Sequence, residues 1–350
     1  MRTALGIALP LEAPLEALVS TAREAEELGC SFVWVNDDRL QKDPFTVLAA
    51  IALGTERVQL GPGVTNPYSR HPALLATAIA TLDELSGGRA VLGLGAGGTN
   101  HRALGVERTA PVTTMRDAIT VVRRLLRGEV VTVEGRTLVS REAVLDFEPP
   151  RAEVPIYVGA RGPRMLELAG ELADAAIVGN VASAEGWRYA RSRVHEGGAR
   201  TGREPGAVPL VAWLYCSLAD DAAAARDAVR PMVATSLVTS RPILADLGLA
   251  YPPRFAEIME RLGWRLSSTA VREAGAVLSA EELAWFSLAG TTAECRDRLT
   301  RLLEEFPDIA QVAIVPAPPG DGSVGDVVRR FLSEVAPVDA VGAAGKGSSG

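Results

Sequence analysis

The sequence predicts a (β/α)8 TIM barrel, and three observations carry that expectation. Short apolar runs alternate with helically periodic segments from the first residues to about residue 335. The runs are apolar almost throughout, which is the pattern of parallel strands covered by helices on both faces. Aromatic residues make up only 5% of a chain that is 47% hydrophobic, a composition suited to close packing of helices on a sheet rather than to an aromatic-rich β-sandwich.

TALGIAL opens the series as a strand, and Leu15, Leu18, Val19, Ala22, Ala25 and Leu28 then recur at helical spacing until Gly29 stops the helix. SFVWV is the second strand, with PFTVLAAIALG as its helix. RVQLGPGV is the third, followed by HPALLATAIATLDELSGG, where Leu74, Leu75, Ala78, Ile79, Leu82 and Leu85 keep the helical period. RAVLGLG is the fourth strand and TTMRDAITVVRRLLRG its helix. VVTVEGRTLV alternates about a central Glu134-Gly135, so residues near 129–147 read as a hairpin insertion. VPIYVGA with PRMLELAGEL, AAIVGN with a helix near Gly186 to Thr201, and PLVAWLYCSL continue the rhythm. A long helical region from Asp220 to about Leu288 supplies an excursion near 230–290, and the helix after Gly290-Thr291 and the strand AQVAIVPA complete eight strands. A doubly wound sheet is the runner-up, but it calls for a topological switch and fewer strands. Residues 1–338 are expected to form one domain, and the Gly/Ser-rich residues 339–350 a flexible tail.

A net charge of -7 with scattered basic residues gives no footprint for nucleic acid or an anionic membrane, so a small-molecule substrate is the expected partner. Cys30, Cys216 and Cys295 stand far apart with no paired spacing, and the His71, His101 and His195 positions give no ligand pattern, so neither a disulfide frame nor a metal site is expected. No apolar run reaches a membrane span and the first residues lack a signal-peptide cleavage pattern; a cytoplasmic protein is the expectation.

RAVLGLGAGGTN matches the dinucleotide spacing G-x-G-x-x-G through Gly93, Gly95 and Gly98. A dinucleotide loop needs its third glycine to open a helix at once, yet TNHRALGVERTAP follows, with Gly105 and Pro111 and no apolar stripe before Met115. Asp117, about twenty residues on, falls inside a helix rather than at the end of the next strand. Glycines at the end of a barrel strand have another use, since they let a flat ring approach the backbone.

The reactive groups of such a barrel come from the C-terminal strand ends. The second strand ends in Asn36, Asp37 and Asp38, the third in Thr65 and Asn66, the fourth in Gly97, Gly98, Thr99 and Asn100, with His101 close by. The fifth runs through Gly159 and Ala160 into Arg161, Gly162, Pro163 and Arg164, and the sixth ends at Asn180. Pro163 at a helix start, free N–H groups and two guanidiniums make an anion site suited to a cofactor phosphate. Of the adjacent carboxyls, Asp38 is the candidate proton donor, with Asp37 raising its pKa by repulsion and His101 as the alternative.

GPGVTNPYSRHPALLATAIATLDELSGGRAVLGLGAG, VPIYVGARGPRMLELAGELADAAIV, YCSLADDAAAA and AGTTAE together resemble the methylenetetrahydromethanopterin reductases, a family of the luciferase-like clan that uses the deazaflavin coenzyme F420. The resemblance runs from about residue 3 to 335. It implies a barrel with the deazaflavin at its mouth, the ring backed by a bulge with a cis peptide bond, here Gly63-Val64, and followed by Thr65 and Asn66. It also implies ring contacts from Gly97, Gly98 and Thr99, phosphate contacts from Gly159 to Arg164, and a homodimer. Two departures stand out: the family's glutamate in the first strand is Ala8 here, and its Asp-His pair after the second strand is Asp37-Asp38. The expected function is therefore an F420-dependent reductase that delivers hydride to a C=N or activated C=C bond of a small organic substrate. An FMN-dependent monooxygenase of the same clan and a catalytically silent flavin-binding protein are the alternatives.

Overall fold

In the computed structural model, which describes residues 3–37, 40–97 and 103–336, parallel strands form one sheet that runs from Gln59–Pro62 through Phe32–Val35, Ala4–Leu9, Ile309–Pro316, Leu210–Leu218, Ala175–Gly179 and Ile156–Ala160 to Leu92–Gly95. The strands are β1 (Ala4–Leu9), β2 (Phe32–Val35), β3 (Gln59–Pro62), β4 (Leu92–Gly95), β7 (Ile156–Ala160), β8 (Ala175–Gly179), β9 (Leu210–Leu218) and β11 (Ile309–Pro316). The register runs evenly around this path, for example Ile7 beside Val33 and Ile314, and Val158 beside Leu94 and Ala176. Between β3 and β4 the ladder narrows to the bridges Leu60 to Ala90 and Thr65 to Leu94, which close the barrel. The predicted eight-stranded barrel is the observed one.

The helices form because their apolar residues fall on one side and their ends are marked. The helix α1 (Leu15–Glu27) buries Leu18, Ala22 and Ala25; α2 (Pro44–Gly54) starts with Asp43 accepting from the Thr46 N–H at 2.9 Å; α3 (Pro72–Ser86) ends at Gly87 with φ 68°. Next come α4 (Pro111–Leu126), the antiparallel hairpin β5 (Val131–Glu134) and β6 (Val139–Ala143), α5 (Pro163–Leu172) and α6 (Ala184–Ala199). The hairpin lies where the alternation about Glu134-Gly135 places it.

Two stretches depart from the expected pattern. The excursion contains α7 (Ala222–Thr239), a 3-10 turn at Arg241–Ile243, α8 (Pro253–Arg261), α9 (Ser268–Gly275) and α10 (Ala280–Ala284), but it ends in a further strand, β10 (Ser287–Gly290). This strand pairs with the second half of β9, Ser287 beside Tyr215 through Gly290 beside Leu218, because β9 runs on past the end of its pairing with β8. Four residues give too short a period to be separated from the helices before them. After α11 (Thr292–Glu305) and β11, the chain adds α12 (Val324–Arg330) and a π-helical turn at Phe331–Val335, whose Val327, Val328, Phe331, Leu332 and Val335 are buried. That closing helix follows AQVAIVPA, the last predicted element, and sequence reasoning missed it; its signal is the spacing of those apolar residues and Ser323, which caps it together with Asp326.

Polar anchors hold the N-terminal end of the barrel, away from the site. Asp83 is fully buried, receives two bonds from Arg151 and one from the Ala90 N–H, while Arg89 donates to the carbonyls of Ala52, Thr55, Val58 and Ser86. Glu26, on the buried side of α1, accepts from the N–H groups of Glu56, Arg57 and Val58 at 3.1, 2.6 and 2.8 Å. All three cysteines are free and buried, and burial pushes the Cys30 thiol up to about 12. Among the described residues no helix is long and apolar enough to cross a membrane.

Burial alone would raise the Glu26 carboxyl, but the three N–H donors and the nearby Arg57 outweigh it and hold the group below its ordinary range. A carboxyl lowered on folding contributes stability above its unfolded pKa and loses it as pH falls through the folded value. Glu26→Gln should therefore lower unfolding free energy by about 1 to 3 kcal/mol near neutral pH, with the gap from wild type narrowing towards about pH 3.5. Urea unfolding at the two pH values checks this, and a gap independent of pH would contradict it.

Candidate active site

The C-terminal strand ends surround a cavity of about 990 Å³. Its floor begins at β3, where the Gly63-Val64 peptide bond is cis, as expected. Here two backbones approach too closely for side chains: a Cβ on Gly61 would lie 1.7 Å from the Val91 carbonyl oxygen, and one on Gly93 would lie 2.1 Å from that of Pro62. Gly63 is confined by two tryptophans, since a Cβ there would meet the Trp213 ring at 2.5 Å and Trp34 Cβ at 2.9 Å. The Val64 side chain fills the space above Gly95 and Gly159, whose Cβ atoms would stand 2.6 and 3.1 Å from its methyl groups. Gly93 and Gly95 therefore serve the β3–β4 seam; of the described part of that glycine run, Ala96 and Gly97 reach the cavity.

The wall continues along β7 and β8. Gly159, Ala160, Arg161, Gly162, Pro163 and Arg164 all line the cavity, as does Asn180. A Cβ on Gly162 would meet nothing within 4 Å, so this stretch of wall stays open to a ligand. Gly162 begins α5 with no side-chain cap, and Arg164 beside it is exposed, with no acidic partner among the described residues. Arg161 behaves differently: its guanidinium donates to Ser240 Oγ at 2.7 Å, Thr239 Oγ1 at 2.8 Å and the Ser236 carbonyl at 3.4 Å. It ties the β7 loop to the end of α7, and its surroundings of hydroxyls and carbonyls leave burial to pull its pKa down.

Asn180 adopts φ 55° and donates from Nδ2 to the Tyr215 hydroxyl at 3.0 Å, and that hydroxyl lies 3.2 Å from Ser236 Oγ. The Asn180 Oδ1 atom is buried and has no partner among the described residues. An orphaned acceptor on a cavity wall is a position for a ligand N–H or O–H.

Other predicted residues sit beside the cavity rather than on it. Thr65 is buried and its hydroxyl donates to Asp37 Oδ2 at 2.6 Å. Asn66 is a turn residue, its Oδ1 accepting from the N–H groups of Tyr68 and Ser69 at 3.0 and 2.9 Å. Asp37 also accepts from Arg70 Nε at 3.2 Å and does not line the cavity. With its charge matched by Arg70, Asp37 is a poor source of the repulsion expected to raise its neighbour's pKa. Asp38, Gly98, Thr99, Asn100 and His101 lie outside the described residues. Sequence reasoning missed Trp213, Arg108, Thr239 and Leu266, all on the cavity wall. Trp213 sits mid-strand, and the other three stand in loops or at helix ends that carry no motif.

A profile for the luciferase-like monooxygenases matches residues 2–307. The chain belongs to that family. This luciferase-like protein is 33% identical over 307 residues to the 5,10-methylenetetrahydromethanopterin reductase of Methanolobus tindarius, covering 87% of this chain and 91% of that relative. Its fold superposes on the coenzyme F420 dependent tetrahydromethanopterin reductase of Methanopyrus kandleri with TM-score 0.83 at 27% identity, covering 96% and 99% of the two chains. An F420-dependent secondary alcohol dehydrogenase in complex with an F420-acetone adduct shares the fold, with TM-score 0.79 at 23% identity over 98% and 100% of the chains.

The seam and the open wall separate by substitution. Gly93→Ala drives a Cβ into backbone and should cost about 2 kcal/mol or more, whereas Gly162→Ala meets empty space and should change stability by less than about 1 kcal/mol. Thermal unfolding of the two variants checks the contrast; equal melting temperatures would contradict it.

Proposed function

We propose that this luciferase-like protein is an F420-dependent oxidoreductase, a reductase that transfers hydride to a C=N or activated C=C bond of a small organic molecule. The observation that carries the reading is the cavity wall, side-chain-free at Gly162, with an arginine that has no acidic partner among the described residues and an orphaned acceptor on it, in a chain that resembles a methylenetetrahydromethanopterin reductase in sequence and a coenzyme F420 dependent reductase in fold. These residues fit a flat anionic cofactor. The cavity volume is at the upper end of the usual range for small-molecule sites. Arg164 and the uncapped start of α5 would hold the phosphate. Asn180 Oδ1 would accept from the ring edge or the substrate, and the cis bulge at Gly63-Val64 supports the floor.

When bound, the deazaflavin supplies a two-electron hydride donor at C5, because the carbon in place of the flavin N5 disfavours one-electron and oxygen chemistry. The chain's own part is orientation, exclusion of water and supply of a proton. Val64, Val112, Met165, Ile177, Trp213 and Leu266 give the cavity apolar surface that would help to exclude water around a bound ring. Asp38, three residues after the end of β2 in the sequence, is the group proposed to hold and release the proton at its carboxyl oxygen. Ala8 is fully buried among Trp34, Trp213 and Ala313 in the barrel interior, so nothing ionisable stands at the place of the family's strand-1 glutamate. That change favours a substrate other than a pterin. The homodimer remains part of this reading, supported by the exposed Leu53, Leu74 and Leu85 on α2 and α3.

Titration by fluorescence quenching tests the cofactor. Oxidised F420 should bind at least about tenfold more tightly than FMN, and Arg164→Ala should weaken F420 by about 1 to 3 kcal/mol. Equal or tighter FMN binding would put the monooxygenase reading in front, and unchanged affinity in Arg164→Ala would leave the α5 start as an ordinary helix end.

The acid is tested separately. Asp38→Asn should cut turnover about a hundredfold while cofactor affinity stays nearly constant. Wild-type turnover in that variant, with reduced cofactor saturating, would remove Asp38 from the mechanism and leave His101 or water as the proton source.

A further inference from the structure

The cavity is lined by three guanidiniums, Arg108, Arg161 and Arg164, and by no Asp or Glu among the described residues. In a chain of net charge -7 this is a local concentration of positive charge, and a ligand with one phosphodiester does not match it. Arg161 is committed to the end of α7 through Ser236, Thr239 and Ser240. Arg164 stands at the start of α5, where the phosphate is placed above. Arg108 is left over. It is exposed, has no acidic partner among the described residues, and makes one long bond from Nη1 to the Gly97 carbonyl at 3.4 Å. The segment that carries it is anchored at its far end, where the Tyr68 hydroxyl donates to the Thr109 carbonyl at 2.8 Å.

We propose that Arg108 forms a second anion subsite, distinct from the phosphate site, which takes the carboxylates of the acidic tail that follows the phosphate in F420. The inference rests on the cofactor reading given above. The pairing of β4 with β7 favours the tail over the substrate. Arg108 lies in the β4–α4 connection, and β4 pairs directly with β7, whose loop carries Arg164. Apolar lining comes from later units, with Ile177 on β8, Trp213 on β9 and Leu266 on the excursion, and from earlier ones, with Val64, Val112 and Met165. A tail leaving a phosphate held at α5 towards solvent would have the neighbouring start of α4, with Arg108 before it, within its reach. A substrate has to lie against the ring instead. The exposure of Arg108 suits a group that is itself solvated, and it sets the size of the effect, since exposed ion pairs are weak and screened by salt.

The experiment compares oxidised F420 carrying several γ-linked glutamates with the form that has the same ring and phosphate but no glutamate. Each is titrated by fluorescence quenching into wild type, R108Q and R108K. Wild type should prefer the glutamylated form about five- to tenfold at low salt, and the preference should fade at about 0.5 M salt. R108Q should bind both forms alike, with the affinity of the unglutamylated form kept, and R108K should recover part of the preference. Equal affinity of wild type for the two forms overturns the inference, as does an undiminished preference in R108Q. A selective rise in KM for carboxylate-bearing acceptors in R108Q, with cofactor affinities unchanged, overturns it too and assigns the subsite to the substrate. If neither form binds wild type, the cofactor reading itself falls, a result distinct from loss of the tail preference alone.

Discussion

The structure of the site depends on the close approach of two backbones at the β3–β4 seam. Gly61 faces the Val91 carbonyl and Gly93 faces that of Pro62 at distances no Cβ allows. Because the strands meet so tightly there, regular pairing gives way between Leu60 and Thr65 to a bulge, and its Val64 side chain has to go somewhere. It goes over Gly95 at the end of β4 and over Gly159 on a further strand, β7. One contact thus fixes the ends of three strands, β3, β4 and β7, in relation to one another, and the two tryptophans beside Gly63 stiffen it, Trp34 and Trp213 meeting edge to face at 5.9 Å. A glycine run that reads as a phosphate loop is here a packing device.

A second constraint brings the excursion to the barrel. The guanidinium of Arg161 grips the last turn of α7, while the Tyr215 hydroxyl stands between Asn180 on the wall and Ser236 on the same helix. These bonds place Thr239 at the cavity edge, and the α8–α9 turn adds Leu266. That turn is built on aromatic packing, with Arg241 over the Trp264 ring at 4.4 Å and Tyr251 edge-on to the same ring at 4.9 Å. The part of the cavity outside the barrel is therefore set by a small polar network and one aromatic cluster, both distant in sequence from the strands they complete.

Much of this was legible before any coordinates. The barrel followed from the alternation of apolar strands and amphipathic helices, since each strand buried on both faces must be apolar throughout. The GARGPRM segment was legible as a helix start on the cavity because Pro163 and the residues around it have one common use. The short strand Ser287–Gly290 was hidden, because four residues at the end of a helical region carry no readable period and its pairing partner lies about seventy residues away. Arg108, Trp213, Thr239 and Leu266 were hidden for a related reason: nothing in their neighbours distinguishes a cavity-facing side chain from a surface or core one.

The sequence by itself determined the strand and helix order, the hairpin, the strand ends that carry polar groups and the family resemblance, all of which reside in local pattern. Tertiary structure decided which of those groups serve the cavity. Asp37 turned out to accept from Thr65 and from Arg70, and Arg161 to bond with a helix some seventy-five residues further along. The physical reason is that a polar side chain near a strand end takes whatever partner the fold brings within hydrogen-bond reach. That partner comes from another element, at a separation no local spacing records.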